Sequence, residues 1–266
     1  MMPEFATETS DLFSVAGRSV LITGATGALG GTAARALAAR GARLTLASGR
    51  KPALDSLAGE LPASASVAVV PLRPQTPGDA AAMVDTAVSA HGSLDGVIAA
   101  SGTNHVAPIA EMDVAAFDRV MDANVRGSWL VCQAAGRQLL AQGRGGSVVL
   151  VSSTRGRLGH PAGYSAYCPS KAAVDLLSKT LAAEWGGAGI RVNAIAPTVF
   201  RSDLTAWMYA DDEKGRATRE AMLARIPLGR LAEPEDFVGT LVYLLSAASA
   251  FLTGQILYLD GGYTSC

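Results

Sequence analysis

The stretch Ser19–Gly30 reads SVLITGATGALG, and its reading decides the fold. An unbroken apolar run, Ser19–Thr23, is followed at once by Gly24, Gly27 and Gly30, and then by an alanine-rich helical segment up to Arg40. Strand, tight turn and helix in that order open a parallel α/β unit. The glycines let the chain turn sharply and allow backbone N–H groups at the helix N-terminus to meet a pyrophosphate. The placement carries this reading; a glycine-rich turn without it would only be a packing turn.

Working outward, further strands are predicted at Arg43–Ala47, Val67–Leu72, Leu94–Ala100, Ser147–Ser152, Arg191–Ala196 and Ile256–Leu259. Most are continuous Val/Ile/Leu/Ala runs, the pattern of parallel strands covered on both faces. Helices fill the gaps. The expected class is therefore α/β: a doubly wound, mainly parallel seven-stranded sheet with helices on both faces, Rossmann-like, with a ligand crevice at the carboxyl ends of the strands. Residues 1–14 read as an acidic, flexible leader without the layout of a signal peptide, and 15–266 as a single domain. The stretch 198–230 is too long for an ordinary connection and is expected to form a mobile cover over the crevice.

The 266 residues, 49% hydrophobic with 29 glycines, suffice for one large domain with a well-buried core. A net charge of −1 gives no footprint for nucleic acid or an anionic membrane, which leaves small molecules as the expected partners. Cys132, Cys168 and Cys266 are odd in number and widely spaced. They fit neither a disulfide framework nor a metal cluster, so no metal site is expected and a reducing, cytoplasmic setting follows. The uncharged run Phe237–Leu259 is long enough on paper to span a bilayer, but Thr253 and Gly254 break it into a helix and a strand.

A second cluster lies between Ser152 and Lys171. Tyr167 and Lys171 are four apart, which on a helix puts them on one face, where the ammonium would lower the phenol's ordinary pKa of roughly 10. Such a tyrosine can give or take a proton at a carbon–oxygen bond. Pro169 is tolerable if the helix starts just before Tyr167. Ser153, at the strand end, puts a hydroxyl at the crevice, while Ser152 alternates to the opposite face. On the helix predicted from Asp113 to about Leu140, the positions Phe117, Met121, Asn124, Ser128 and Val131 form the buried face. A buried amide without partners costs on the order of 1–3 kcal/mol, so Asn124 must be bonded to something.

Together these elements resemble the short-chain dehydrogenase/reductase family, from Val15 to Gly262. Chain length, the Tyr167–Lys171 pair and the segments Leu252–Gln255 and Asp260–Gly262 are similar to its compact branch, as in gluconate dehydrogenases and 3-oxoacyl carrier-protein reductases. There are departures. Ala28 stands where that branch has a glycine, Ala99-Ala100-Ser101-Gly102 replaces Asn-Asn-Ala-Gly, Arg73 replaces an aspartate near the adenine, and Thr198 replaces a glycine. The resemblance implies a catalytic set of Asn124, Ser153, Tyr167 and Lys171. In it Asn124 holds a water that links the lysine to solvent, Lys171 also binds the nicotinamide ribose, and Ser153 holds the substrate oxygen. It further implies a cofactor cradle of Gly24, Thr26, Gly27, Leu29, Gly30, Ala100, Gly102, Tyr167, Lys171, Pro197 and Phe200, and a homotetramer.

After the second strand no carboxylate is present to bind a ribose 2′-hydroxyl. Ser48, Arg50 and Lys51 stand there instead and suit the 2′-phosphate of NADP(H). Alternatively Arg50 and Lys51 are a solvated helix start and NAD(H) is used. At the mouth, Arg155, Arg157, Tyr164 and Trp207 would suit a hydroxylated or acidic substrate, while His105 and His160, on loops after strands, either touch substrate or are ordinary loop histidines. His91 reads as solvated or capping at a helix end. The expected function is NAD(P)-dependent hydride transfer to or from a small carbonyl/alcohol substrate. The alternative is a non-catalytic dinucleotide-binding sensor.

Overall fold

The computed structural model describes residues 12–202, 205–210 and 212–265. Seven parallel strands form one sheet: β1 (Ser19–Thr23), β2 (Arg43–Ala47), β3 (Val67–Val70), β4 (Gly96–Ala99), β5 (Gly146–Val151), β6 (Ile190–Pro197) and β7 (Ile256–Leu259), in the order β3-β2-β1-β4-β5-β6-β7. The order reverses between β1 and β4, and a reversal of that kind opens a crevice outside the strands' carboxyl ends. The glycine turn, the loop after β4 and the segment after β5 all lie at that edge.

Both faces of the sheet are covered because successive strand residues point to opposite sides. On one face Val20, Ile22, Leu44 and Leu46 pack with Leu29, Ala33 and Leu37 of α1 (Ala28–Ala38) and with Phe237 and Leu241 of α8 (Asp236–Leu245). On the other, Leu21, Val97, Val148 and Leu150 meet Met83 of α3 (Pro77–His91) and Val131 and Leu139 of α5 (Gly127–Gln142). The same face holds Val174 and Trp185 of α6 (Tyr167–Trp185). Helix α2 (Lys51–Glu60) adds Leu54 and Leu57 to the first cluster.

Two sequence readings need correction, the long helix and His91. The helix predicted from Asp113 is interrupted: α4 (Val114–Met121), capped by Asp113, runs through a π-helical turn at Asp122–Arg126 into α5. The π turn takes more residues per turn than an α-helix, so each rotates less and the buried series is Ala116, Val120, Asn124, Ser128, Val131, while Phe117 is 39% exposed. His91 is buried, with Nε2 against the Leu44 carbonyl oxygen at 3.0 Å and Nδ1 against Ser66 Oγ at 3.3 Å. The stretch 198–230 contains a 3₁₀ turn (Ala206–Tyr209) and helix α7 (Glu213–Leu223), held by a small cluster of Met208, Met222, Ile226 and Tyr263. Most of the proposed leader, residues 1–11, and Cys266 lie outside the described residues. The run Phe237–Leu259 divides between α8 and β7, and no described helix is long and apolar enough to cross a membrane.

Candidate active site

The turn after β1 is shaped by backbone contact. Gly24 has φ of +66°, and a Cβ there would lie 2.7 Å from the backbone of Ala100 and Ser101. A Cβ at Gly30 would overlap the Gly24 carbonyl. Position 28 carries no such demand: Ala28 is the first residue of α1, and no residue other than glycine has positive φ among the described residues. Gly27 precedes α1 without a side-chain cap, so the N–H groups of the first turn are open to an anion. Leu29 keeps its side chain in the core and offers only backbone to this turn.

Beyond β2, Ser48 Oγ and Thr26 Oγ1 lie 2.7 Å apart. Arg50 reaches over the turn, donating from Nη2 to the Thr26 carbonyl at 2.7 Å and to Thr26 Oγ1 at 3.1 Å. Arg73 lies across Gly49, where a Cβ would come within 2.7 Å of its Nε. Two guanidinium groups and two hydroxyls thus converge. Lys51 does not join them, because its ammonium pairs with Asp55, one helical turn on, at 2.7 Å. The donor set and the glycine cradle fit a dinucleotide with a phosphorylated ribose.

At the end of β5 the two serines diverge. Ser152 Oγ donates to the Lys171 carbonyl at 3.3 Å and lies close enough to Asp175 to favour its ionised form. Ser153 Oγ accepts from the Arg155 N–H at 3.2 Å and hydrogen-bonds the Tyr167 hydroxyl. Helix α6 begins at Tyr167 itself, which leaves Pro169 in the first turn, where its missing N–H costs nothing. Lys171 Nζ donates to the Val151 carbonyl at 2.9 Å and lies 5.6 Å from the centre of the Tyr167 ring.

Asn124 is fully buried in the π-helical turn. Its Oδ1 accepts from the Thr103 N–H at 2.7 Å, and its Nδ2 donates to the Thr103 carbonyl and to Ser170 Oγ, each at 2.9 Å. The amide therefore clamps the loop after β4 onto α6. Gly102 completes the junction: a Cβ there would lie 3.0 Å from Asn124 Oδ1 and 3.5 Å from Lys171 Nζ. Gly156 is likewise confined, since a side chain would overlap the Asp175 carboxylate.

The electrostatics run against the sequence expectation. Burial pushes the Tyr167 phenol up to about 12, with the Ser153 hydrogen bond and the charge of Arg155 pulling the other way. Burial also brings Lys171 down to about 8, with Asp175 opposing. Desolvation outweighs the pairing of ammonium and phenol because Lys171 spends a hydrogen bond on Val151 instead. At neutral pH both groups hold their protons.

Residues 24–264 match the family model described as enoyl-(acyl carrier protein) reductase. The chain belongs to the short-chain dehydrogenase/reductase family. It is 69% identical over 254 residues to an uncharacterized oxidoreductase of Mycobacterium tuberculosis, covering 96% of this chain and 94% of that one. It is 34% identical to the gluconate 5-dehydrogenase of Gluconobacter oxydans, covering 96% and 97% of the two chains. The crystal structure of a gluconate 5-dehydrogenase from Burkholderia cenocepacia, in complex with NADP and tartrate, matches with a TM-score of 0.88 at 29% identity. That match covers 97% of this chain and all of the other. The chain is accordingly an oxidoreductase.

Two of the departures from the short-chain dehydrogenase/reductase pattern, Ala99 and Thr198, lie at the carboxyl ends of strands. Ala99, facing Thr23 in register, leaves the buried Thr23 Oγ1 without a partner. Thr198 donates its N–H to the Leu259 carbonyl at 3.2 Å and so continues the pairing of β6 with β7 past the buried Pro197. The carbonyls of Val199 and Phe200 accept from the Ala232 N–H at 3.3 Å and from Thr205 Oγ1 at 2.6 Å.

At the mouth, the Tyr164 ring stands edge-on to Tyr167 at 6.1 Å, and the His160 ring lies 4.5 Å from Tyr164. Arg155 reaches Tyr263, donating from Nη2 to its hydroxyl at 3.3 Å. Arg225 lies 4.2 Å from the centre of the same ring. Tyr263 and Arg225 carry no local signal, since Arg155 and Tyr263 are 108 residues apart and meet only through the fold. Arg157 does not share this cluster; it covers the Tyr258 ring at 5.5 Å. His105 and Trp207 are exposed.

Proposed function

We propose that the chain transfers hydride between NADP(H) and a small carbonyl/alcohol substrate, with Tyr167 as general acid/base. The observation that carries this reading is the meeting of Ser153, Tyr167, Lys171 and Asn124 around Gly102 at the reversal of the sheet. When bound, the nicotinamide supplies or accepts the hydride. Tyr167 gives its proton to the substrate oxygen in reduction and takes it back in oxidation. Ser153 donates a hydrogen bond to the same oxygen, and the Lys171 ammonium stabilises the phenolate left behind. Asn124 positions Lys171 by holding α6 to the loop after β4, and supports a water between the lysine and solvent.

Gly24, Gly27 and Gly30 hold the pyrophosphate against the α1 N-terminus, with the backbone at Thr26, Leu29, Ala100 and Gly102 closing around it. Thr26, Ser48 and Arg50 take the 2′-phosphate, in keeping with the NADP bound by the Burkholderia relative. Lys171 also holds the nicotinamide ribose, and Pro197 and Phe200 border the ring. Residues 15–266 act as one catalytic domain, with 198–230 as its cover. The exposed apolar side chains of Phe117, Trp129, Leu176 and Phe251 support assembly into a homotetramer, and the setting is cytoplasmic. The non-catalytic sensor finds no support among relatives that are oxidoreductases.

The test is Tyr167→Phe, followed by NADPH absorbance with a panel of carbonyl substrates and by NADPH fluorescence for binding. Turnover should fall by roughly 10²–10⁴-fold with cofactor affinity retained. Near-normal turnover in the variant would remove Tyr167 from the mechanism.

A further inference from the structure

We propose that Arg155, braced on Tyr263, anchors a carboxylate of the substrate, so that the chain acts on hydroxy or oxo acids rather than neutral polyols or ketones. The inference deepens the hydride-transfer reading and rests on it for the position of the reacting carbon. Arg155 follows Ser153 by two residues, and its own N–H bonds the Ser153 hydroxyl at 3.2 Å. Its guanidinium therefore projects from the segment that also presents a hydroxyl to Tyr167.

The partners of Arg155 are neutral and distant: Nη1 donates to the Gly159 carbonyl and Nη2 to the Tyr263 hydroxyl, each at 3.3 Å. Among the described residues no carboxylate pairs with it, whereas Arg35, Lys51, Arg144 and Arg230 all have one. The side chain is half-buried, and Tyr263 beneath it is 1% exposed, so the fork is held in place by a fixed support. Its charge reaches the groups that surround the reacting centre, favouring the ionised form of Tyr167 and Cys168 and the neutral form of His160. Arg225, over the same tyrosine ring, adds to the positive potential at His160.

A partly desolvated guanidinium without an internal anion, on the segment that also carries Ser153, is complementary to a ligand anion. Its planar fork matches a carboxylate through two parallel N–H···O bonds. Bracing Gly159 and Tyr263 occupies one N–H on each terminal nitrogen and leaves the other donors of the fork for a ligand.

The experiment measures equilibrium binding by calorimetry to the NADPH-loaded protein, using matched pairs that differ in the acid group. D-gluconate is set against D-glucitol, and 4-hydroxycyclohexanecarboxylate against its methyl ester. The acid should bind at least tenfold more tightly than its neutral partner in one or both pairs, and in Arg155→Met that preference should shrink to within about twofold. Absence of an acid preference in the wild type overturns the proposal, as does a preference that survives in a folded Arg155→Met. Should the methionine variant fail to fold, Arg155→Gln, which retains donors for Tyr263 and Gly159, is judged by the same ratio. Because no turnover is involved, Tyr167→Phe should keep the acid preference. Failure of the anchor and failure of the proton-transfer reading therefore show in different measurements.

Discussion

The glycine turn after β1 and the mouth around Arg155 are built on opposite principles. At the turn, backbone meets backbone: the space at Gly24 is closed by Ala100 and Ser101, and that at Gly30 by Gly24. At the mouth, long side chains from distant segments meet, with Arg155, Arg225 and Tyr263 gathered on one ring. The first arrangement permits one residue type and so marks the sequence. The second permits many, and leaves no local mark. On the function proposed above, the turn would hold the cofactor that every cycle needs, while the mouth would be free to set which substrate enters.

The largest effect should come from adding a methyl group to the turn. Gly24→Ala puts a Cβ on a left-handed residue and drives it into the Ala100–Ser101 backbone. Backbone strain and overpacking together should cost roughly 2–5 kcal/mol, read by urea denaturation, along with loss of NADPH binding. A fully stable Gly24→Ala that binds NADPH would break the contrast, since the turn would then be as tolerant as the mouth.

The next effect concerns the buried pair. Lys171 has its ammonium brought from an ordinary 10.5 down to about 8 by burial. Between those values the unfolded chain holds a proton that the folded chain has released, so stability rises with pH across the window. Tyr167, pushed from 10 up to about 12, acts in the opposite sense only above pH 10. In Lys171→Met the rise should vanish. The difference in stability between variant and wild type should therefore shift by about 3 kcal/mol in favour of the wild type from pH 8 to 10.5, followed by denaturant titration at each pH. A constant difference would show that Lys171 is not desolvated as the structure has it.

Much of the fold was legible because parallel strands buried on both faces are continuous apolar runs. Ser19–Thr23, Arg43–Ala47 and Ile256–Leu259 fall on the observed strands residue for residue. The third strand reads too long because Pro71 ends the ladder at Val70, where the apolar run continues to Leu72. The π-helical turn was not legible: it alters the rotation between Met121 and Gly127 without changing composition, and a 3.6-residue period drawn through it misplaces Phe117. The pairing of Tyr167 and Lys171 on one helix face was legible, whereas the sign of their pKa shifts was not. Spacing says which groups are near and nothing of how much water reaches them.

Asn124 gives a smaller effect with a sharper reading. Asn124→Ala leaves the Thr103 N–H and carbonyl without their side-chain partners. A loss of about 1–3 kcal/mol is expected, measured by thermal or urea denaturation. Turnover should fall further than stability accounts for, because the clamp also sets where Lys171 stands beside Gly102. Asn124→Asp, which keeps an acceptor for the Thr103 N–H but sets an oxygen against the Thr103 carbonyl in a fully buried place, should recover none of the stability.

The smallest effect separates two neighbouring cations that sequence alone could not tell apart. Arg50 folds back over Thr26 with three hydrogen bonds, whereas Lys51 faces Asp55 on the exposed side of α2. If Arg50 takes the 2′-phosphate, Arg50→Ala should weaken NADPH by roughly tenfold or more while NADH changes little, the scale expected when a charge-assisted hydrogen bond is removed. Lys51→Ala should leave both cofactors within about twofold, since an exposed ion pair of this kind contributes little. Fluorescence titration of both variants with both cofactors decides the matter. Equal losses at the two positions would mean that a diffuse positive patch, and not a built pocket, selects the cofactor. The turn and the mouth would then share one logic after all, with side chains choosing the ligand at each end and backbone fixing only the pyrophosphate between them.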